Sequence, residues 1–252
     1  PPRSTLFPYT TLFRSPIRPK GDWNWLDVVP GDSPDTQWDK THPYDELPKS
    51  IDPESGWLQN ANDPPWTTTF PNAISRHDYP GYMSQNFMHF RAQRSARMAF
   101  EDESITFQEI LDYKMDTRME LADRILNDLL KLTANANDEI IIETRRVLSN
   151  WDRQTNRDSK GAVLFKAWID TVQFYVNKDE LFRLGWQEEQ AMDTPVGLNP
   201  TMDYLKSLKS AAEAVLKVYG RLDIPWGDVY RLIRDYVDLP SNGGPGHPYG
   251  FF

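Results

Sequence analysis

The spacing of apolar residues changes about a third of the way along the chain. From Arg91 onward, apolar side chains recur every three or four residues with charged side chains between them, a pattern typical of amphipathic helices. The clearest stretch, Thr106 to Lys131, predicts one long helix, and Thr106 with Glu109 predicts a capping box at its start. Residues 91–235 are therefore expected to form a mainly helical layer.

Further helices are expected within this part of the chain. Apolar residues at helical spacing predict helices over about residues 138–150, 161–176 and 201–219. The last of these ends at Gly220, a residue that suits a helix C-terminus because it lacks a Cβ. One short helix is expected over residues 227–234.

Residues 16–80 are rich in Pro, Trp, Asp and Gly, with short apolar stretches between turn signals. Strands are predicted at Gly56–Ala61 and at Trp66–Phe70. The first must end before Pro64, because a Pro pair cannot donate the hydrogen bonds of a ladder. The sequence thus predicts an α+β fold in which a β-rich first third, residues 16–80, precedes the helical layer.

Composition and charge narrow the classes of function. The 252 residues include 37 acidic and 28 basic side chains, giving a net charge of −9, which argues against a nucleic-acid or anionic-membrane surface. The chain has no Cys, which excludes disulfides, Cys-ligated zinc and thiol catalysis. Its 4 His are scattered without metal-ligand spacing. Apolar runs fall short of the about 20 residues that a membrane span needs.

The N-terminal segment differs in character from the rest of the chain. Residues 1–15 contain no acidic side chain and no apolar run of the length found in signal peptides. Thr5–Ser15, TLFPYTTLFRS, is similar to the translation of a common short-read sequencing adapter. We therefore expect residues 1–15 to be an assembly artefact and residues 16–252 to be a fragment of a longer protein. A flexible natural N-terminus is the alternative.

Two Asn residues lie where the first predicted strand ends. Asn60 and Asn62 are two positions apart and directly precede the sequence Asp-Pro-Pro. An Asn amide held rigidly is a neutral hydrogen-bond donor, and such a donor stabilises the oxyanion of an acyl transfer by about 3–4 kcal/mol. From the residues alone, the alternative is that both side chains cap turn backbone.

Four blocks of sequence, in order along the chain, resemble the penicillin amidase family of N-terminal nucleophile hydrolases. They are residues 47–62 (LPKSIDPESGWLQNAN), 91–97 (RAQRSAR), 148–168 (LSNWD, then Gly161 and Trp168) and 219–240 (YGRLDIPWG, then VDLP). The last block is most similar to acylases that act on aculeacin-like lipopeptides and acyl-homoserine lactones. Together the blocks span nearly all of residues 16–250.

The resemblance implies a partial αββα fold and a precursor that is cut into α and β subunits. A Ser at the β N-terminus is then the nucleophile, and its own α-amine is the base. The resemblance assigns the oxyanion role to Asn62, with Asn60 as the fallback if the register is shifted by two. It assigns to Arg91 the support of the substrate and of the active-site network; a surface Arg at a helix start is the alternative. It assigns no substrate-binding residue.

No Ser of this chain matches the nucleophile, so the chain is expected to be an interior β-subunit fragment that is inactive alone. The implied reaction is hydrolysis of the acyl amide of a β-lactam, lipopeptide or acyl-homoserine lactone. The implied partners are the α subunit and the rest of the β subunit, with no nucleic acid and no membrane span, and the implied location is periplasmic or secreted. No cofactor is expected; calcium occurs in the family, but no ligand for it is identified here.

Aromatic side chains leave a second interpretation open. Trp57, Trp66 and Phe70 either help to line an acyl pocket or belong to the core. The alternative function is a non-catalytic, aromatic-rich module that binds carbohydrate or peptide.

Overall fold

The computed structural model describes residues 15–175 and 180–244. The chain divides into two compact units, Pro1–Phe87 and Met88–Phe252. Nearly all of the expected assembly artefact lies outside the described residues. The predicted helix end at Val176 and the last residues of the tail lie outside them as well.

The described part of the first unit contains no β-strand, so the prediction of a β-rich first third is wrong there. A lone antiparallel bridge joins Pro16 to Thr41. The other regular structure of these residues is short 3₁₀ helices at Pro34–Thr36, Tyr44–Glu46, Pro65–Thr67 and Arg76–Asp78. The α+β class itself is confirmed, because the second unit supplies helices together with short antiparallel strands.

Proline explains why the two predicted strands do not form. The N–H of Gln59 donates to the carbonyl of Thr68 at 2.8 Å, as it would in a ladder. Pro64 and Pro65 have no N–H with which to extend the pairing, and Pro65 begins a 3₁₀ turn instead. Eleven of the 20 prolines of the chain lie in residues 16–80, so extended segments in this region are repeatedly interrupted.

The second unit contains seven α-helices and four short strands in its described part. The helices are α1 (Phe90–Phe100), α2 (Phe107–Lys114), α3 (Glu120–Leu132), α4 (Glu139–Ser149), α5 (Ala162–Tyr175), α6 (Tyr204–Tyr219) and α7 (Trp226–Val229). The strands form two antiparallel pairs, β1 (Phe182–Leu184) with β2 (Val196–Leu198) and β3 (Arg231–Arg234) with β4 (Val237–Pro240).

The prediction of one long helix over residues 106–131 is wrong, because the chain forms α2 and α3 with a break between them. In the break, the backbone bonds to a distant segment instead of to itself. The N–H of Met119 donates to the carbonyl of Arg153 at 2.8 Å, and the N–H of Thr155 donates to the carbonyl of Thr117 at 3.1 Å. These long-range bonds replace the helical bonds that the local pattern favours.

The helix ends follow their capping residues. The predicted capping box is confirmed, since Thr106 and Glu109 each accept the backbone N–H of the other. Asp138 caps α4 by accepting two backbone N–H groups, and Gly220 ends α6 with φ +73°. The prediction of a short helix over residues 227–234 is wrong after Val229, where α7 ends. β3 begins at Arg231 and pairs with β4.

α5 lies in the middle of the hydrophobic core of the second unit. It packs against α4, α6 and α7, and α3 and α4 contact each other beside it. Its side chains are buried around most of its circumference. The buried ones are Ala162, Val163, Leu164, Phe165, Trp168, Ile169 and Val172.

The block LSNWD followed by Gly161 has a structural explanation. A Cβ on Gly161 would lie 2.6 Å from the Cβ of Trp151, and the φ of Gly161 is +113°, so a side chain is excluded twice over. The Trp151 indole N–H donates to the carbonyl of Gln154 at 2.8 Å, and its ring lies 5.2 Å from the ring of Phe165. The resemblance in this block therefore rests on packing at the start of α5.

We expect Trp168→Ala to lower the free energy of unfolding by about 3–5 kcal/mol. The side chain is fully buried, its ring lies 5.7 Å from that of Phe165 and 6.0 Å from that of Tyr204, and its Nε1 donates to Ser207. Urea denaturation followed by circular dichroism measures the change. Tyr236→Ala, at a side chain 96% exposed, is the control and should change stability by less than about 0.5 kcal/mol. Similar losses in both variants would contradict the assignment of the core.

Candidate functional site

Asn60 and Asn62 form a tight turn at the surface of the first unit. The Oδ1 of Asn60 accepts the N–H of Asn62 at 2.8 Å, which is an Asx turn. Asn62 has a φ of +68°, in the left-handed region that Asn tolerates better than most residues. Both Asn residues are exposed, whereas Ala61 between them is buried. The turn is thus held by the buried Ala61 and exposes the two amide side chains that flank it.

Hydrogen bonds hold the chain on both sides of this turn. Before it, the side-chain Nε2 of Gln59 donates to the carbonyl of Thr67 at 2.8 Å. After it, the hydroxyl of Thr67 donates to the carbonyl of Pro64 at 2.8 Å, and the Pro pair fixes two φ angles. Rigidity of this kind suits a donor that acts on a transition state, since no reorganisation is needed during the reaction.

The same loop contains two buried polar atoms that have no hydrogen-bond partner in the described part of the chain, Gln59 Oε1 and Trp66 Nε1. Each such atom costs about 1–3 kcal/mol. Asn62 adds a left-handed backbone conformation a few residues away. Such features also occur elsewhere, for example at Thr144 Oγ1 and at the left-handed Arg153, so the functional interpretation of this loop stays a prediction.

The three aromatic residues named as acyl-pocket candidates differ in burial. Trp66 is 3% exposed and belongs to the small core of the first unit. Trp57 and Phe70 are half-buried, and their ring centroids lie 6.5 Å apart. Their contribution to an acyl pocket stays a prediction.

Arg91 lies in the first turn of α1, in the second unit, and is half-buried. The N-terminus of a helix carries a partial positive charge, so a cation at this position gains nothing from the helix dipole. One turn further on, Arg94 forms a two-bond ion pair with Asp116, at 2.7 and 3.1 Å. Asn62 and Arg91 thus belong to different units.

A buried polar network, which the sequence analysis did not identify, fixes α1. The side chain of Gln93 is fully buried, and its Nε2 donates to the carbonyls of Ala191 at 2.9 Å and Thr194 at 2.6 Å. Its Oε1 accepts from Arg124 of α3 at 3.1 Å, and Arg124 also donates to Glu120 at 2.7 Å. The network therefore ties α1 and α3 to the segment between β1 and β2.

The sequence contained only a weak signal for this network. Glu120 and Arg124 are four residues apart, the spacing of an ion pair along a helix, but such pairs are usually on exposed faces. Gln93 lies between two arginines and has no feature that marks it as buried.

Burial sets the ionisation of the network. It raises the pKa of Glu120, and the nearby guanidinium groups of Arg124 and Arg97 oppose that shift. Burial also lowers the pKa of Arg124, against the attraction of Glu120. Both shifts have the same physical origin, since each charged group has lost contact with water. The ionised network is therefore less favourable in the folded state than its hydrogen bonds alone suggest.

Neither a metal-binding group nor a membrane-spanning helix is present among the described residues. Among residues 15–175 and 180–244, no group of three or more His, Asp or Glu is arranged to hold a metal ion. Over the same residues, every helix is too short or too polar to cross a bilayer.

The sequence profile of penicillin amidase matches residues 9–248. The chain belongs to the penicillin amidase family. The match covers all four blocks that carry the resemblance, and it includes the Asn turn and α1. Membership supports an amide hydrolase with a substrate and with a second subunit from a processed precursor. It gives no support to a non-catalytic binding module.

We expect the stability of this penicillin amidase chain to depend on pH through Glu120. Because the folded-state pKa of Glu120 is raised, the folded state holds the proton more tightly than the unfolded state does. The contribution of Glu120 to stability is therefore full below its ordinary pKa and is lost as pH rises through the raised value. Relative to Glu120→Gln, the wild type should lose free energy of unfolding as pH rises above the ordinary pKa of Glu, about 4.3.

Glu143→Gln is the matched control for this measurement. Glu143 is exposed, and a hydrogen bond from Arg146 lowers its pKa, so its small contribution to stability should grow as pH rises. Urea denaturation of the three proteins across this pH range gives both slopes. If the wild type gained on Glu120→Gln with rising pH, pairing with the two arginines would outweigh burial and the interpretation would be wrong.

Proposed function

We propose that the chain is an interior part of the β subunit of an acylase and that it supplies the oxyanion donor for amide hydrolysis. The observation that carries this proposal is the Asn60–Asn62 turn, an exposed amide pair in a rigid and strained loop of a penicillin amidase family member. Neutral amide donors of this kind stabilise the tetrahedral intermediate of acyl transfer.

The reaction we propose has two acyl-transfer steps. The hydroxyl of an N-terminal Ser, supplied by another part of the precursor, attacks the amide carbonyl while its α-amine takes the proton. The negative charge on the carbonyl oxygen is stabilised by the side-chain N–H of Asn62. Loss of the amine leaves an acyl ester on the Ser, and water then releases the acid and restores the Ser.

The choice of Asn62 over Asn60 rests on the family resemblance, which assigns the oxyanion role to Asn62. The Oδ1 of Asn60 accepts the backbone N–H of Asn62, so Asn60 shapes the turn that carries Asn62. In this proposal Asn60 holds Asn62 in its left-handed conformation, and Asn62 makes the catalytic contact.

Arg91 is proposed to support the substrate and the active-site network. It is half-buried in the first turn of α1, where a cation gains no stability from the helix dipole. The next turn of α1 is fixed by Gln93 and Arg94, which would hold the Arg91 backbone in a defined place.

The finer features of the function are proposals by family resemblance. The substrate is proposed to be the acyl amide of a β-lactam, lipopeptide or acyl-homoserine lactone, and the protein to be made as a zymogen in the periplasm or for secretion. The partners are the α subunit and the rest of the β subunit. The 252-residue chain alone is then expected to be inactive, and amide hydrolysis by the purified chain would contradict this.

We expect Asn62→Ala in the complete precursor to lower kcat by about 10²–10³-fold with little change in KM, because the donor acts on the transition state. The complete gene is first read from its source and expressed, and release of a chromogenic amine from acyl anilides with aromatic or long aliphatic acyl groups is measured. If the wild-type enzyme cleaved none of these amides, the proposed function would be wrong.

Asn60→Ala is the matched variant for this experiment. It removes the Asx turn but not the proposed donor, so it should reduce kcat less than Asn62→Ala does. Subunit processing on a gel and thermal melting show whether each variant folds and matures. The reverse order of the two effects would assign the oxyanion role to Asn60.

We expect Arg91→Ala to reduce kcat/KM by at least about tenfold, the loss of one charge-assisted hydrogen bond. Arg145→Ala, on the exposed face of α4, is the control and should retain wild-type kinetics. Partial rescue by Arg91→Lys would separate the role of the charge from that of the guanidinium geometry. Unchanged kinetics in Arg91→Ala would identify Arg91 as a surface residue.

A further inference from the structure

α2 leaves its large apolar side chains exposed. Phe107, Ile110, Leu111 and Met115 are 76%, 53%, 40% and 68% exposed. Positions 107, 110, 111 and 115 share one face of a helix, so these side chains form a continuous stripe. None of the residues of α2 is buried, although the helix is amphipathic. We call these four side chains the α2 stripe.

Polar contacts alone hold the less exposed side of α2. The hydroxyl of Tyr113 donates to Asp102 at 2.5 Å, which raises the pKa of Tyr113 to about 12. Glu109 is used in the capping box, and Asp116, just after the helix, pairs with Arg94. An ordinary surface helix buries its apolar stripe, whereas α2 leaves both its apolar stripe and its charged residues Asp112 and Lys114 exposed.

Helix propensity does not account for α2. Its eight residues are fewer than the about 12–15 that an isolated helix needs in water. The capping box and the Tyr113 contact stabilise its N-terminal and inner sides. Contiguous exposed apolar side chains on a short helix are typical of a binding surface.

The charges around the stripe indicate what binds to it. Residues 101–116 contain six acidic side chains and one basic one, Lys114. The acidic residues are Glu101, Asp102, Glu103, Glu109, Asp112 and Asp116. Two of these, Glu101 and Asp116, are paired with Arg97 and Arg94 of α1, and the other four exceed the one Lys. The surface is thus apolar in the middle and acidic around it, which favours a partner with an apolar face and basic flanks.

We propose that the α2 stripe is a docking site for a basic amphipathic helix of another polypeptide. Such a helix lays its apolar face on Phe107, Ile110 and Leu111 and its cations against the acidic residues. A second copy of this chain fits poorly, because pairing α2 with itself brings acidic residues together. An anionic membrane surface fits poorly for the same reason, since it would repel them.

The test uses the 252-residue chain and two synthetic helical peptides. Each peptide is about 18 residues long, or five turns, and carries the same Leu face; the flanking residues are Lys in one peptide and Glu in the other. Fluorescence anisotropy at low ionic strength gives the Kd of each. We expect the Lys peptide to bind at least about tenfold more tightly, and about 1 M salt to remove most of that difference.

Phe107→Ser and Ile110→Ser should each weaken binding of the Lys peptide at least about tenfold, because each removes a large apolar contact. Val218→Ser, at an exposed apolar residue of α6, is the matched control and should bind like the wild type. Because the stripe is exposed in the chain, neither stripe variant should lower the melting temperature.

Three outcomes would overturn this proposal. The first is equal affinity for the two peptides, or no binding of the Lys peptide. The second is a lower melting temperature in Phe107→Ser, which would mean that the side chain is already covered within the chain. The third is a dimer in sedimentation that Phe107→Ser dissociates, which would assign the stripe to self-association.

Discussion

α5 has apolar side chains around most of its circumference, so it is stable only when other elements enclose it. That requirement accounts for the arrangement of helices in the second unit. α4, α6 and α7 pack on α5, and α3 completes the core beside them. The start of α5 is set by the contact of Gly161 with Trp151, where no side chain larger than hydrogen fits. A change at either residue would therefore displace the helix around which the unit is built.

α1 lies at the margin of this core, and polar bonds add to the burial of Phe90, Ala92 and Ala96 in holding it there. Gln93 and Arg124 link α1 and α3 to backbone carbonyls between β1 and β2, and the carbonyls are satisfied in return. Such a network specifies one arrangement of three segments, because each member needs all of its partners. Its cost is the burial of Glu120, which raises the pKa of that carboxyl.

The sequence correctly predicted structural features that depend on interactions between residues close together in the chain. The capping residue Thr106 and the C-terminal Gly220 were predicted correctly because each acts within one turn of its own helix. The break before α3 was not, because Met119 bonds to Arg153, 34 positions away in the sequence. The predicted strands near the Asn turn failed for a further reason, since alternation says nothing about whether a partner strand has N–H groups to offer.

The Asn pair at the candidate site likewise shows what the sequence could predict and what it could not. Sequence spacing identified two amides before a Pro corner, but only the fold distinguishes them, since Asn60 bonds to the backbone of Asn62. The buried amide of Gln93 in the second unit has partners at both its N–H and its oxygen, whereas Gln59 Oε1 and Trp66 Nε1 near Asn62 have none among the described residues. Atoms of this kind also occur in the second unit, at Arg124 Nε and Thr144 Oγ1, so they do not by themselves mark the Asn loop as catalytic. The loop differs in carrying two exposed amides before a rigid Pro pair, and a fixed, accessible amide is what an oxyanion donor requires.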